Sequence, residues 1–272
     1  MLVAQITDTH IKRPGHLAYR VVDTATMLRD CVAAIAALVP APDVVVVTGD
    51  LVDIGRPEEY ELLRSILAPL KQPLFVVPGN HDERDAMRAA FADGGYLPSS
   101  GFLQYAIDEH PLRLIGLDTN VPGESGGLLC NTRLAWLERT LAQHPVMPTL
   151  ILMHHPPFPT GIAHMDRIGL VGREGFASIL AHNPQVELVL CGHLHRTIRA
   201  SVGGRPALTC PSPAHQVALD LRREAPSRFM MEPPGFMLHH WIDGSLVSHV
   251  VPVGRFDGPY PFFEDDGKLI DS

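Results

Sequence analysis

The 272-residue chain has little of several features that mark large protein classes. Positive charge is not in excess: 22 Lys and Arg stand against 30 Asp and Glu, a formal net charge of -8. That balance disfavours a long nucleic acid as partner, because gripping a phosphate polymer takes many Lys and Arg. A small phosphate ester needs only a local positive centre. Cysteine is scarce, and Cys31, Cys130, Cys191 and Cys210 form no C-x-x-C pair. A disulfide framework or a thiolate zinc site is therefore not expected, and reduced cytoplasmic thiols are the simpler reading. No apolar run approaches the roughly 18 residues of a membrane-spanning helix. Met1 to Ile6 is too short for the apolar part of a secretion signal, and Asp8 and His10 follow at once. There is no internal repeat and no low-complexity tract. The length fits one large α/β domain, or a smaller domain with an appendage.

Histidine is abundant by contrast: 15 residues, against 22 Lys plus Arg. The first two-thirds of the chain alternates short apolar runs with amphipathic segments. The runs Leu2–Ile6, Val44–Val47, Leu74–Val77, Leu112–Leu117, Thr149–Met153 and Glu187–Cys191 are often β-branched and continuous, which reads as buried strands. Between them, Leu28, Cys31, Val32, Ile35 and Leu38 recur at helical spacing. Pro57 suits the first position of a second helix, Thr132 is a candidate N-cap for a third, and Phe176, Ile179 and Leu180 mark a fourth. Strands alternating with helices imply a covered sheet. After Arg196 the pattern changes to Ser201–Thr209, Phe236–Ile242 and Leu246–Val253, which look like hairpin strands, with Asp243-Gly244 as a turn. We therefore expect a core over residues 1–196 and a C-terminal region over 197–272 that completes the site. Leu221–Pro234 reads as a mobile loop or cap element.

The residues after the strands carry the chemistry. Asp8-Thr9-His10 follows the first, Gly49-Asp50 the second and Gly79-Asn80-His81-Asp82 the third. His154-His155 follows the fifth and Gly192-His193-Leu194-His195 the sixth. Each motif alone has a bland reading, as a turn, a cap or a packed histidine. In open α/β sheets, however, ligands bind beyond the carboxyl ends of the strands, so five such ends should converge. The donors are imidazole, carboxylate and amide without thiolate, which suits Mn, Fe(II), Zn or Co rather than a structural zinc.

These motifs together resemble the signature of the calcineurin-like metallophosphoesterases, over about residues 1–195. Gly55-Arg56-Pro57-Glu58-Glu59-Tyr60 and His154-His155-Pro156-Pro157 resemble the glycerophosphodiesterase branch, beside the class III cyclic nucleotide phosphodiesterases. The resemblance implies a four-layer αββα sandwich with a β-rich cap or dimerisation region at its C-terminus, and a binuclear metal centre. It implies that Asp8, His10, Asp50 and His195 hold one ion, that Asp50, Asn80, His154 and His193 hold the other, and that Asp50 bridges. By the same resemblance His81 contacts the phosphoryl group, and His215 lies near the substrate. Asp82 either orients His81 or caps a turn, and His155 either supports the centre or is simply packed. Phe229 and Met230-Met231 either line a substrate cap or serve apolar packing or a subunit interface.

Two divalent ions outweigh Asp8 and Asp50, so the centre should attract a monoanionic diester and stabilise its transition state. Ions about 3.5–4 Å apart would also activate a hydroxide nucleophile. The expected activity is hydrolysis of small phosphodiesters, glycerophosphodiesters or 3′,5′-cyclic nucleotides, by a homo-oligomer of two or more chains. The alternatives are a phosphomonoesterase, which would favour more Arg or Lys at the metals than Arg56 and Arg196, and a non-catalytic interaction scaffold. Retention of every ligand side chain and His81 speaks against the scaffold.

Overall fold

The structure is a computed structural model that describes residues 1–270. Its first half runs β1 (Leu2–Ile6), α1 (Thr24–Ala36), β2 (Val44–Thr48), α2 (Pro57–Leu67), β3 (Leu74–Val77), α3 (Arg84–Ala90), β4 (Tyr105–Ile107), β5 (Arg113–Gly116), β6 (Gly127–Leu128) and α4 (Asn131–Gln143). It continues with β7 (Thr149–Leu152), α5 (Ala163–Asp166), β8 (Leu170–Val171), α6 (Arg173–Ala181), β9 (Val186–Cys191), β10 (Arg199–Val202), β11 (Arg205–Thr209), β12 (Gln216–Val217), β13 (Phe229–Met230), β14 (Gly235–Ile242) and β15 (Ser245–Pro252).

Two sheets form the centre. One has the order β15-β14-β1-β2-β3, the other β10-β11-β9-β7-β5-β4. Strands β1, β2 and β3 are mutually parallel, as are β5, β7 and β9, so each sheet presents a row of carboxyl ends. The apolar strands are buried on both faces, and alternation divides their side chains between two layers. Val45 and Val47 face α1 and α2, packing with Leu28, Ile35 and Leu63. Val44 and Val46 face the opposite way and meet Leu150, Leu152 and Leu188 of the other sheet. Beyond that sheet, Ile151 and Val189 pack on Leu137 of α4 and Phe176 of α6. The result is the expected helix–sheet–sheet–helix sandwich.

The chain after Arg196 supplies strands to both sheets: β11 joins β9 in parallel, and β14 joins β1 antiparallel. The β14–β15 hairpin turns at Asp243-Gly244 as expected. One helix start differs. α4 begins at Asn131 with Cys130 in the cap position, so Thr132 is the second helical residue and not the N-cap.

Candidate metal centre

The loops leaving the strands are tight. Among the described residues, eight non-glycine positions have positive φ, and five of them are Asp8, Asp50, His10, His193 and His195. Such left-handed conformations are costly for side-chain-bearing residues and gather at functional sites. Two glycines make the crowding possible. A Cβ on Gly79 would lie 2.1 Å from Asp50 Oδ1, and one on Gly49 would lie 2.4 Å from His154 Nδ1.

The loops bring the expected residues together. His10 Nε2 faces His195 Nε2 at 3.2 Å and Asp50 Oδ2 at 3.6 Å, and His195 Nε2 lies 3.5 Å from Asp8 Oδ1. His154 Nε2 lies 3.3 Å from Asp50 Oδ2 and 3.2 Å from Asn80 Oδ1. His193 offers a ring nitrogen within 4.8 Å of one on His154. Donors bound to one ion at about 2.0–2.2 Å stand roughly 3–3.6 Å apart, so these spacings fit a metal.

The outer nitrogens fit as well. His154 Nδ1 donates to the Thr48 carbonyl at 2.9 Å and His195 Nδ1 to the His215 carbonyl at 3.0 Å. His193 Nε2 donates to the Ile168 carbonyl at 3.2 Å. Each bond occupies the outer nitrogen and turns the other ring nitrogen inward, as metal-ligating histidines require. His10 Nδ1 is buried without a hydrogen bond, 3.9 Å from an Asp53 carboxylate oxygen.

Burial governs the charges. It drives His10 and His193 well below the usual imidazole range and lowers His195 despite the nearby carboxylates. It also raises the Asp8 carboxyl. Burial would raise Asp50 too, but His154, His81 and His10 hold it well below the ordinary carboxylate range. His154 is the counterpart: burial lowers it, and Asp50, Asp8 and the Thr48 carbonyl together lift it to about 9.

His81 lies beside His10, 4.6 Å away between ring centroids, but its own hydrogen bonds go elsewhere. Its backbone N–H donates to Asp50 Oδ1 at 2.9 Å, and its Nδ1 donates to the Asp53 carbonyl at 2.6 Å. Asp82 does not hold the His81 ring. Its carboxylate accepts from Tyr60 Oη at 2.8 Å and from the backbone N–H groups of Leu51 and Gly79, so it clamps the turn. His155 packs 4.8 Å from His154 and 4.6 Å from His193 between ring centroids. Its two nitrogens are spent on Thr119 Oγ1 and the Ser125 carbonyl.

A cavity of about 370 Å³ opens on the centre. His215 lines it, 4.6 Å from His195 and 5.7 Å from His10 between ring centroids, with Nδ1 unpartnered. Tyr19 and Phe229 pack edge-on against His215 and Phe229 is a cavity wall, while Met230 and Met231 face outward. A second cavity of about 440 Å³ shares Asn80, His81 and Ser125 with the first.

Several nearby residues escaped the sequence reading. Asp53 groups with His10 and His81, and its place in Gly49-Asp50-Leu51-Val52-Asp53 was a usable signal. Tyr19 had none. The strand end after β5, Asp118-Thr119-Asn120, carries polar residues like the others and was passed over.

A calcineurin-like phosphoesterase family model matches residues 1–197. A probable glycerophosphodiester phosphodiesterase of Arcobacter nitrofigilis is 42% identical over 273 residues, covering 100% of both chains. A 3′,5′-cyclic adenosine monophosphate phosphodiesterase of Escherichia coli is 34% identical, covering 77% of this chain and 75% of its own. Among solved structures, a dimetal phosphatase from Danio rerio superposes with a TM-score of 0.66 at 18% identity, covering 93% of this chain and 96% of its own, a likeness of fold.

Proposed function

The chain belongs to the calcineurin-like phosphoesterase family, and from that membership and its site we propose a metal-dependent phosphoric diester hydrolase acting on small diesters. The observation that carries the reading is the meeting of carboxylate, amide and imidazole donors from five strand ends at metal-ligand spacing. Glycerophosphodiesters and 3′,5′-cyclic nucleotides are the proposed substrates, in line with the names of the relatives.

In this reading Asp8, His10, Asp50 and His195 hold one divalent ion, and Asp50, Asn80, His154 and His193 hold the other. A thiolate-free set supports Mn, Fe, Zn or Co. When bound, the ions supply Lewis acidity and lower the pKa of water, which makes a nucleophile near neutral pH. The protein supplies the rest. Donation from His81 Nδ1 to the Asp53 carbonyl directs Nε2 away from that loop. Burial would lower His81, and Asp50 and Asp53 raise it; with Nδ1 donating to the Asp53 carbonyl, Nε2 is the atom that would carry a proton to the leaving alkoxide. Burial and His81 push His215 down to about 4, so near neutral pH its ring is uncharged and both donates and accepts, matching an alcohol hydroxyl.

The four cysteines are unpaired, which suits a reducing compartment such as the cytoplasm. The C-terminal region from 197 is proposed to narrow the site and to join chains into a homo-oligomer. Phe256, Tyr260, Phe262 and Phe263 of its tail are exposed, which supports a contact with another copy. Turnover of glycerophosphoethanolamine, cyclic AMP and matched monoesters by Mn(II)-reconstituted protein tests the activity. Hydrolysis of monoesters alone would reject the diester assignment, and an inert, metal-free protein would leave a scaffold.

A further inference from the structure

Strand β5 ends without a proposed metal ligand, yet its exit residue Asn120 is 2% exposed and reaches the site's most demanding loop. Asn120 Nδ2 donates to the Gly79 carbonyl and, at 3.2 Å, to the Asp82 carbonyl. Those carbonyls bracket the turn that carries Asn80 and His81. The asparagine is itself fixed from behind. Its N–H donates to Asp118 Oδ1 at 3.0 Å, and its carbonyl accepts from Arg84 Nη2 at 2.6 Å and Arg133 Nη2 at 3.0 Å. Arg84 in turn grips the buried Asp118 carboxylate through two nitrogens, at 2.6 and 2.9 Å. A guanidinium fork on a carboxylate is directional, so the cluster resists rotation as well as separation.

The position of this cluster in the fold gives it a second property. Asn80 and His81 follow β3 in one sheet, and Asn120 follows β5 in the other. The proposed ligands also come from both sheets, so the centre works only if the two rows of loops keep their distance. Asp82 pins the Asn80–His81 turn to its own sheet through Leu51 and Tyr60, while Asn120 pins it across the seam. We propose that Asn120, backed by the Arg84–Asp118 pair, is a positioning residue that sets the placement of Asn80 and His81 against the histidines of the opposite sheet. The inference rests on the diester-hydrolase reading of the centre.

A kinetic cycle with His81→Ala and Asn120→Leu tests it, using Mn(II)-loaded protein and glycerophosphoethanolamine. Asn120→Leu alone should lower kcat about 10- to 100-fold with KM changed less than about threefold, because small misplacements cost that much. In the His81→Ala background the same change should cost less than about a third as much, since a group already removed cannot be misplaced. Titration of the metal-stripped protein with Mn(II) should show one of two ions bound roughly 10- to 100-fold more weakly in Asn120→Leu. If that variant does not fold, Arg84→Lys keeps the charge, loses the fork and should show the same pattern at smaller size. Losses that multiply across the cycle, or titrations unchanged for both ions, overturn the assignment. A wild-type protein that binds two ions but leaves the diester intact overturns the diester reading instead, and the titration still decides Asn120.

Discussion

Asp50 connects the two halves of the centre: its Oδ2 lies 3.6 Å from His10 Nε2 on one side and 3.3 Å from His154 Nε2 on the other. Asp50→Ala should therefore release both ions and lower kcat at least about 10²–10³-fold, the scale of losing one directed electrostatic contact. Metal analysis after dialysis checks it, and two ions retained at wild-type turnover would refute the bridging role. His81 makes a different prediction because its ring is held by a main-chain carbonyl and not by the donor pairs. His81→Ala should keep both ions, with kcat on an alkyl diester falling by about 10²–10⁴-fold and much less on bis(p-nitrophenyl) phosphate. An equal loss on both would reduce His81 to a positioning or electrostatic role, and a lost ion would make it a ligand. The side chains legible in the sequence were those whose chemistry is in the side chain: Asp, Asn and His at strand ends. Asp53 orients His81 through its carbonyl, a group every residue carries, so that role has no side-chain signature.

At the scale of elements, the site depends on loops folded so closely that glycine is the only residue that fits. A methyl on Gly79 would stand 2.1 Å from Asp50 Oδ1, which the His81 N–H holds in place, and 2.3 Å from the Asp50 backbone nitrogen, which is main chain. Gly79→Ala should displace the loop bearing Asn80 and cut kcat by about 10²-fold, as an ångström-scale misplacement does. Its thermal midpoint, measured by calorimetry, should fall with it; wild-type values of both would mean the loop moves without harm. The β-branched strands were legible because burial on both faces demands continuous apolar runs, and α2 because Pro57 opens it. Short elements were not. α3 buries only Met87 and has no apolar stripe, and β4 spans three residues, so neither leaves a period to read. Thr132 looked like a cap because threonine is a good one, but the chain enters α4 two residues earlier, with Cys130 as the cap. The brace at Asn120 was hidden for a related reason: Asp118 and Asn120 share one strand end, but Arg84, in α3 after the other sheet's β3, reaches them only when the sheets stack.

At the scale of the molecule, the sandwich buries a polar connection inside its apolar interior. His239 of β14 is fully buried and bonds Ser248 Oγ of β15 at 2.8 Å and Gln5 Oε1 of β1 at 3.0 Å. Gln5 Nε2 then donates to Thr48 Oγ1 at 2.9 Å and crosses to the other sheet at the Cys191 carbonyl, 3.1 Å away. The connection starts at a strand contributed from beyond Arg196 and ends beside the Gly192-His193 turn, so the late strands and the loops of the candidate centre share one interior. Charging His239 would put an imidazolium there with no counter-ion, and burial accordingly pushes it down from 6.5 to about 3. The unfolded chain takes up this proton first as acid is added. His239 therefore contributes fully to stability above about pH 6.5, and that contribution is lost progressively as pH falls toward 3. Each unit of depression is worth about 1.4 kcal/mol, so His239 alone should cost the wild type roughly 2 kcal/mol between pH 7 and pH 5. His155, pushed by burial to about 3, acts in the same direction. His239→Gln isolates one share, because glutamine bonds but does not titrate. The variant should be less stable than wild type at pH 7 by about 1–2 kcal/mol for an imperfect hydrogen bond. The gap should close near pH 5, as read by urea unfolding of the metal-stripped protein. Parallel curves would mean that His239 is solvated or charged in the native state, and that the interior of the sandwich is wetter than its packing implies.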